Sequence, residues 1–232
     1  MELVAIQRVA GRPMSPAGAR RGRPPQGDRR RAIIRAAREV LAGHGYAHTS
    51  LKQIADHAGI APGLLGYYFP AKHTLLLAVV SELEHDLISP WRDAIDQHDQ
   101  PLRRIAAAFD AAIDQWSQQP ELFQILYDLS TLAHFDEEIA NPIRQLMRSI
   151  RQVAEQELSQ ISNDLPTPLP ASVDLPAAVT AGFHGALYEA LTLGQDPTPA
   201  LRTLRFMTLS AAATSYLAAG QTPPIDLAEL RD

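Results

Sequence analysis

Basic side chains are concentrated at one end of this chain. Twelve of the 21 Lys and Arg residues lie in residues 1–80, against four acidic residues, which gives this part a net charge of +8. Residues 81–232 hold nine basic and 22 acidic residues, for a net charge of −13. This asymmetry indicates that the basic part contacts a polyanion such as nucleic acid. A basic arm without a partner is the alternative, because seven of the twelve basic residues lie between Arg8 and Arg30.

The residue types that carry most catalytic and metal chemistry are absent or scattered. The chain has no cysteine, which excludes disulfides, thiolate zinc sites, iron–sulfur clusters and a cysteine nucleophile. His44 and His48 have the spacing of a metal-binding pair on a helix, but Gly45 stands between them. The run Asp136–Glu138 is typical of the acidic first turn of a helix. We therefore expect no catalytic residue, no bound metal and no cofactor.

Short helical segments occupy the basic part and position its side chains. Apolar residues recur at the spacing of one helix face from Arg29 to His44, with Asp28 as the N-cap. A second helix begins after Thr49 or Ser50 and ends at Ala58-Gly59. Further helices are predicted over residues 62–68, which open on a proline, and over residues 71–89.

The second and third helices are joined by a tight turn at Ala58-Gly59-Ile60. Gly59 permits the turn, and Ala55 is small enough for the two helices to cross closely. Three apolar side chains can fill the core that these helices share with the first one: Ile54, Ile60 and Leu65. The pattern predicts a helix-turn-helix, and an ordinary corner of two helices is the alternative.

The acidic part is typical of helices separated by prolines. No segment alternates with a period of two, and no internal repeat is evident. Helices are predicted over residues 90–98, 101–118, 121–134, 137–162, 174–193 and 198–219. We therefore predict an all-α fold.

The segment GYAHTSLKQIADHAGIAPGLLGYYFPAK, residues 45–72, closely resembles the DNA-binding signature of the TetR (tetracycline-repressor-like) family. The likeness extends over residues 29–80, about a fifth of the chain. It implies a one-component regulator without enzymatic activity. The implied organisation is a three-helix DNA-binding domain at residues 28–75 and a helical ligand-binding and dimerisation domain at residues 76–232. Residues 1–27, rich in Gly, Pro and Arg, are expected to form a disordered basic arm.

The resemblance assigns DNA contacts to individual positions. It implies phosphate contacts for Thr49 and Ser50 at the start of the second helix, and for Lys72 at the start of the fourth. Along the third helix it implies contacts in the major groove for Pro62, Gly63, Leu64, Tyr67 and Tyr68.

Two positions depart from the family pattern. Ala61 stands where the family usually has a Ser or Thr cap, and Gly66 stands where it often has a tyrosine. The third helix has no Arg, Asn or Gln, so we expect DNA shape and apolar contacts to contribute to sequence preference. In the arm, Arg21-Gly22-Arg23-Pro24 resembles the core of an AT-hook, which would place Arg23 in the minor groove; an accidental Arg/Pro string is the alternative.

The resemblance also implies a ligand cavity and a homodimer in the acidic part. We predict a cavity of about 300–1,000 Å³ whose wall includes Trp116, Phe123, Tyr127 and His134, with ordinary core packing as the alternative. The absence of an obvious buried charge favours an uncharged or amphipathic effector. Small residues in the last two helices permit close helix packing, and the family builds its dimer there; a packed monomer core is the alternative.

Three functions are compatible with these features. The first is a ligand-responsive repressor that binds a palindromic double-stranded operator as a homodimer and is released by a small molecule. The others are a DNA-binding regulator controlled by a protein partner and an α-helical enzyme. No stretch approaches the ~20 apolar residues of a membrane span, and the N-terminus lacks the apolar core of a secretory signal. We therefore expect a soluble cytoplasmic protein.

Overall fold

The computed structural model describes residues 26–134, 137–170 and 173–225, and within them the chain is entirely helical. The helices are α1 Gln26–His44, α2 Leu51–His57, α3 Pro62–Tyr68, α4 Lys72–Ile95, α5 Pro101–Gln118, α6 Pro120–Leu132, α7 Glu137–Asn163, α8 Leu175–Leu193 and α9 Thr198–Ala218. Among the described helices, none combines the length and apolar character that a membrane crossing requires. Residues 1–25, with the predicted contact Arg23, lie outside the described residues.

Local signals set the ends of the first three helices. Helix α1 begins at Gln26, two residues before the predicted cap at Asp28. Ser50 caps α2: its hydroxyl accepts from the Gln53 N–H, and the Gln53 side chain accepts from the Ser50 N–H in return. Helix α3 has no side-chain cap at Ala61 and opens on Pro62 instead, as the sequence predicts.

The turn between α2 and α3 depends on a glycine. Gly59 has a φ of +64°, in the left-handed region that glycine occupies without strain. The Gly59 N–H donates to Asp56 O and the Ile60 N–H donates to Ala55 O, so α2 ends in a Schellman motif. This motif sets the crossing of α2 and α3 over the buried side chains of Ile54 and Leu65. The predicted helix-turn-helix is therefore present.

One large hydrophobic core joins the N-terminal helices to α4, α6 and α7. Ile33 and Ala37 of α1 belong to the same buried cluster as Val79 of α4, Leu122 of α6 and Ile143 of α7. A second cluster lies where α5 and α9 pack together, around Phe109 and Leu209. The apolar packing thus continues without interruption across residue 75, where the sequence predicts a domain boundary.

The predicted break before residue 90 is wrong, because α4 continues through Pro90 to Ile95. Proline lacks the N–H that would bond the carbonyl four residues earlier, which here belongs to Asp86. The buried side chain of Gln115, on α5, fills this role: its Nε2 donates to Asp86 O at 2.6 Å. The helix can therefore accommodate Pro90 without leaving this carbonyl unpaired.

Candidate functional site

Helix α3 presents an exposed face formed by Pro62, Gly63, Gly66 and Tyr67, which we call the α3 face. Tyr67 is 71% exposed, although large aromatic side chains are usually buried. On the opposite side, Leu65 is 1% exposed and anchors the helix in the core. Of the other residues predicted to contact DNA from this helix, Leu64 and Tyr68 are half-buried at the edges of the face.

The two glycines of the α3 face are not required by the packing of the protein. A Cβ added to Gly63 or Gly66 would have no heavy atom within 4 Å, and neither residue has a positive φ. Glycine inside a helix costs about 0.5–1 kcal/mol relative to alanine. A glycine that the fold does not need is explained when another molecule must approach the backbone closely. The sequence pattern identified Gly63 as a contact but presented Gly66 only as a departure from the family.

The two hydroxyls at the start of α2 have different surroundings. Ser50 is exposed beside the first turn of α2, where a phosphate would find free N–H groups. Thr49 is 4% exposed, and its hydroxyl donates to Gly45 O at 2.7 Å. In this structure Thr49 thus holds the turn between α1 and α2 together, while Ser50 faces outward.

Lys72 is held against that turn. Its Nζ donates to Tyr46 O at 2.5 Å and lies 3.7 Å from the centroid of the Tyr46 ring. Asp128 of α6 accepts from the Tyr46 N–H at 2.8 Å. Burial lowers the pKa of Lys72 below its ordinary value, whereas the charge of Asp128 acts in the opposite direction. Side chains of α4 and α6 therefore both form hydrogen bonds with the turn that leads into α2.

An apolar cavity that is partly open to the surface lies among α4, α5, α7 and α8. Its volume is about 100 Å³, below the predicted range, and its wall includes Trp91, Phe109, Ala112, Val153 and Phe183. None of the four predicted lining residues is part of this wall. Trp116 and Phe123 instead pack against each other in the common core, with ring centroids 5.6 Å apart.

The other two predicted lining residues lie close to the cavity. His134 lines a groove of about 790 Å³ between α7 and α8, and this groove shares Thr180 and His184 with the cavity wall. The Tyr127 hydroxyl lies 2.8 Å from Nδ1 of His184, within hydrogen-bond distance. Burial lowers the pKa of His184 and raises that of Tyr127, so both groups are uncharged near neutral pH.

His184 makes the stability of the protein sensitive to acid. Its pKa is lowered by folding, so the unfolded chain takes up the proton first as the pH falls below the ordinary value of 6.5. We expect the free energy of unfolding to fall between pH 7.5 and 5.5, and to fall less in His184→Gln. Urea denaturation at the two pH values measures this difference. His48→Gln, at an exposed position, is the control, and an equal fall in all three proteins would contradict the assignment.

Comparison with known protein families gives a match in the N-terminal part of the chain. Residues 33–79 match the family model described as bacterial regulatory proteins, tetR family. The HTH-type transcriptional activator FasR of Mycolicibacterium smegmatis is 31% identical over 112 residues, which cover 48% of this chain and 51% of that protein. The HTH-type transcriptional regulator BetI of Brucella melitensis biotype 2 is 36% identical over 93 residues, which cover 39% and 47% respectively. The chain thus spans about half the length of the curated relatives it matches.

Solved structures extend the likeness to the C-terminal helices. A TetR transcription regulator from Haloarcula marismortui superposes with a TM-score of 0.67 at 22% identity, covering 81% of this chain and 98% of that one. FadR from Bacillus subtilis, solved in complex with stearoyl-CoA, gives a TM-score of 0.66 at 16% identity, covering 78% and 98%. These relatives are transcriptional regulators and not enzymes. The helix-turn-helix and the family match thus make residues 33–79 a tetR-type DNA-binding segment, and the chain as a whole has the fold of these regulators.

Proposed function

We propose that this protein is a ligand-responsive transcriptional repressor that binds a palindromic operator as a homodimer. The α3 face enters the major groove, and Ser50 and Lys72 lie toward the phosphates on either side of it. The observation that carries the proposal is the pair of glycines on the α3 face, because they leave the backbone accessible at a place where the fold does not require it. The net charge of +8 over residues 1–80 supports binding to a polyanion.

The contacts of α6 support a structural coupling between the cavity and the DNA-binding helices. Tyr127 bonds His184 on the wall of the cavity, and the next residue, Asp128, bonds the turn that precedes α2. A ligand that displaces His184 would therefore shift α6 and the turn together. Helix α4 runs from this turn to the cavity at Trp91, so a tilt of α4 would change the separation of the two α3 faces in a dimer. Release follows only if the ligand prefers the conformation that does not bind DNA.

Selection of binding sites from a pool of randomised DNA duplexes tests the proposal. We expect a two-fold symmetric site whose half-sites lie about 34–36 Å apart, or at a related spacing set by the dimer. Affinity for the selected site should exceed that for scrambled DNA by at least about a thousandfold in physiological salt. Enrichment of a site without two-fold symmetry, or no enrichment, would contradict the proposal.

Exposed apolar side chains on α8 and α9 support dimerisation through these helices. Tyr188 on α8 is 60% exposed, and Met207 and Leu217 on α9 are 60% and 64% exposed. Phe206, also on α9, is 46% exposed. A second copy of the chain would cover this apolar surface through the same patch on both subunits.

We expect sedimentation at micromolar concentration to give about twice the chain mass of 25.4 kDa. Phe206→Asp should shift the protein to monomers and lower operator affinity at least tenfold, because one subunit contacts only one half-site. The control is Gln156→Asp, which adds the same charge at an exposed position on α7. A dimer that persists in Phe206→Asp would place the interface elsewhere.

The names of the relatives establish neither the regulatory sign nor the effector of this protein. FasR is named as an activator, and FadR from B. subtilis was solved with stearoyl-CoA. Regulation through a protein partner is the second candidate, and the small volume of the apolar cavity favours it. Operator affinity that is unchanged by every ligand found in a thermal-shift screen would support this second candidate. If a ligand does act, operator and ligand must weaken each other by the same factor, typically 5- to 150-fold.

A further inference from the structure

The apolar cavity alone can hold only part of a ligand. Its wall is almost entirely apolar, formed by side chains such as Phe109, Ala112, Val179 and Phe183, and its volume is about 100 Å³. Apolar cavities of this size stay free of water and take small apolar groups. Ligand sites for whole molecules usually measure about 300–1,000 Å³. An occupant of this cavity therefore extends beyond it or contributes only one apolar end.

Two buried donors at the cavity have no partner in the described part of the chain. They are Nε1 of Trp91 and Oγ1 of Thr180, and both residues line the cavity. Buried polar groups are almost always hydrogen-bonded, so an unpaired donor at a cavity wall requires an explanation. Thr180 also lines the adjoining groove, so the residue stands where the cavity meets the groove, and its buried hydroxyl is unpaired there. An oxygen atom of a ligand at this junction would pair it.

The groove beyond this junction is rich in arginine. Arg144, Arg148 and Arg151 are spaced four and three residues apart, so they share one face of α7 along the groove. Arg144 has Glu137 at 3.9 Å, and Arg151 has Glu155 at 2.6 Å. Among the described residues, Arg148 has no ion-pair partner.

The remaining groups that face the groove do not cancel this charge. Glu155 is the acidic residue of the groove wall, and it is already paired with Arg151. His134 and His184 also face the groove. A ligand in the groove therefore meets Arg148 as an available cation, in a groove that adjoins the apolar cavity.

We propose that the effector is an amphipathic anion whose apolar chain enters the cavity and whose carboxylate or phosphate head binds Arg148 and Thr180. This inference rests on the proposed function, and it names the chemical class of the ligand. A purely apolar molecule would leave Thr180 unpaired and make no use of the groove. A small anion without a chain would leave the cavity empty. Only a molecule with an apolar chain and an anionic head both fills the apolar cavity and pairs with the arginine face of α7.

Three probes with the same chain separate these contributions: sodium octanoate, octyl phosphate and 1-octanol. We expect calorimetry, well below micelle-forming concentrations, to show saturable binding of one or both anions. 1-Octanol should bind at least about tenfold more weakly than the better anion. The stronger anion identifies whether the site prefers a carboxylate or a phosphate. The two tryptophans of the chain are Trp91 and Trp116, so the emission of Trp91 in Trp116→Phe reports whether the probe reaches the cavity.

Three variants test which part of the site binds the head of the ligand and which part binds its chain. Arg148→Gln should weaken the anions about tenfold and leave 1-octanol unchanged, because only the charged head uses this side chain. Thr180→Val, of equal shape, should weaken all three probes, since each carries an oxygen acceptor. Ala154→Leu should abolish the binding of all three by filling the cavity. Arg202→Gln, at an exposed position on α9 outside the groove, is the matched control and should change nothing.

Three outcomes would overturn the proposal. They are the absence of saturable anion binding, an equal affinity for 1-octanol and the anions, and an equal effect of Arg148→Gln on all probes. Thermal unfolding of each variant shows whether it folds. If Ala154→Leu does not fold, Thr180→Val still tests the contact between the ligand and this part of the site. Operator binding is measured on the same preparations without ligand. If the wild type binds operator but none of the probes, only this ligand class is rejected. If the wild type does not bind operator, the proposed function is rejected.

Discussion

Replacing Gly66 with alanine will stabilise the protein and impair its binding to DNA. Alanine in place of a helical glycine should add about 0.5–1 kcal/mol to the free energy of unfolding. The added Cβ meets no protein atom within 4 Å, so no steric penalty offsets this gain. The same methyl group projects from the α3 face in both subunits of the proposed dimer. We expect operator affinity to fall at least about tenfold, which corresponds to 1.4 kcal/mol.

Gly43→Ala is the matched control for this experiment. Gly43 also lies inside a helix, and a Cβ added there also has no neighbour within 4 Å, but the residue belongs to α1 and not to the α3 face. Thermal unfolding and fluorescence anisotropy with labelled operator measure the two quantities separately. Gly43→Ala should gain stability and keep its operator affinity. If Gly66→Ala bound operator as tightly as the wild type, close approach of DNA to α3 at this position would be excluded.

Gln115→Met will destabilise the protein by about 1–2 kcal/mol. Methionine has a similar length but cannot donate to Asp86 O, so the variant leaves this half-buried carbonyl unpaired in the turn before Pro90. The penalty is reduced because Oε1 of Gln115 is itself buried without a partner, and its removal is favourable. Gln118→Met, at an exposed position on the same helix, should change stability by less than about 0.5 kcal/mol.

A double-mutant cycle links this effect to Pro90. Pro90→Ala restores the backbone N–H that bonds Asp86 O within α4, so the carbonyl no longer depends on Gln115. In the Pro90→Ala background, Gln115→Met should cost much less, with a coupling energy of about 1 kcal/mol or more. Urea denaturation of the four proteins gives this energy. Equal costs in both backgrounds would mean that Gln115 acts through packing and not through the carbonyl of Asp86.

The sequence predicts the helices where the signal is local. Pro101, Pro120 and Pro199 lie in the first turns of α5, α6 and α9, and Gly59 ends α2, as the chemistry of these residues requires. Pro90 also lacks a backbone N–H, but it lies inside α4 and does not mark the start of a helix. Its effect is cancelled by Gln115, which is 25 residues away in the chain, and no local pattern carries that information.

The same distinction separates the two candidate sites. The α3 face comes from seven consecutive residues, so its exposed positions follow from helix periodicity once Leu65 is placed inside. The cavity draws its wall from four helices, and aromatic residues such as Trp116 and Trp91 cannot be told apart by sequence alone. Likewise, nothing near Tyr46 in the sequence predicts its contact with Asp128, 82 residues later. Such contacts depend on how helices pack in three dimensions.

The hydrophobic core that joins α1 and α4 to α6 and α7 limits how regulators of this kind can be recombined. Exchange of the first 75 residues between two relatives would place foreign side chains against Leu122 and Ile143, and a mismatch in a close-packed interior costs about 1–3 kcal/mol. The exposed residues of α2 and α3 have no such constraint. On the proposed function, operator preference can therefore be transplanted by grafting these surface positions alone, while the scaffold beneath them stays with its own C-terminal helices.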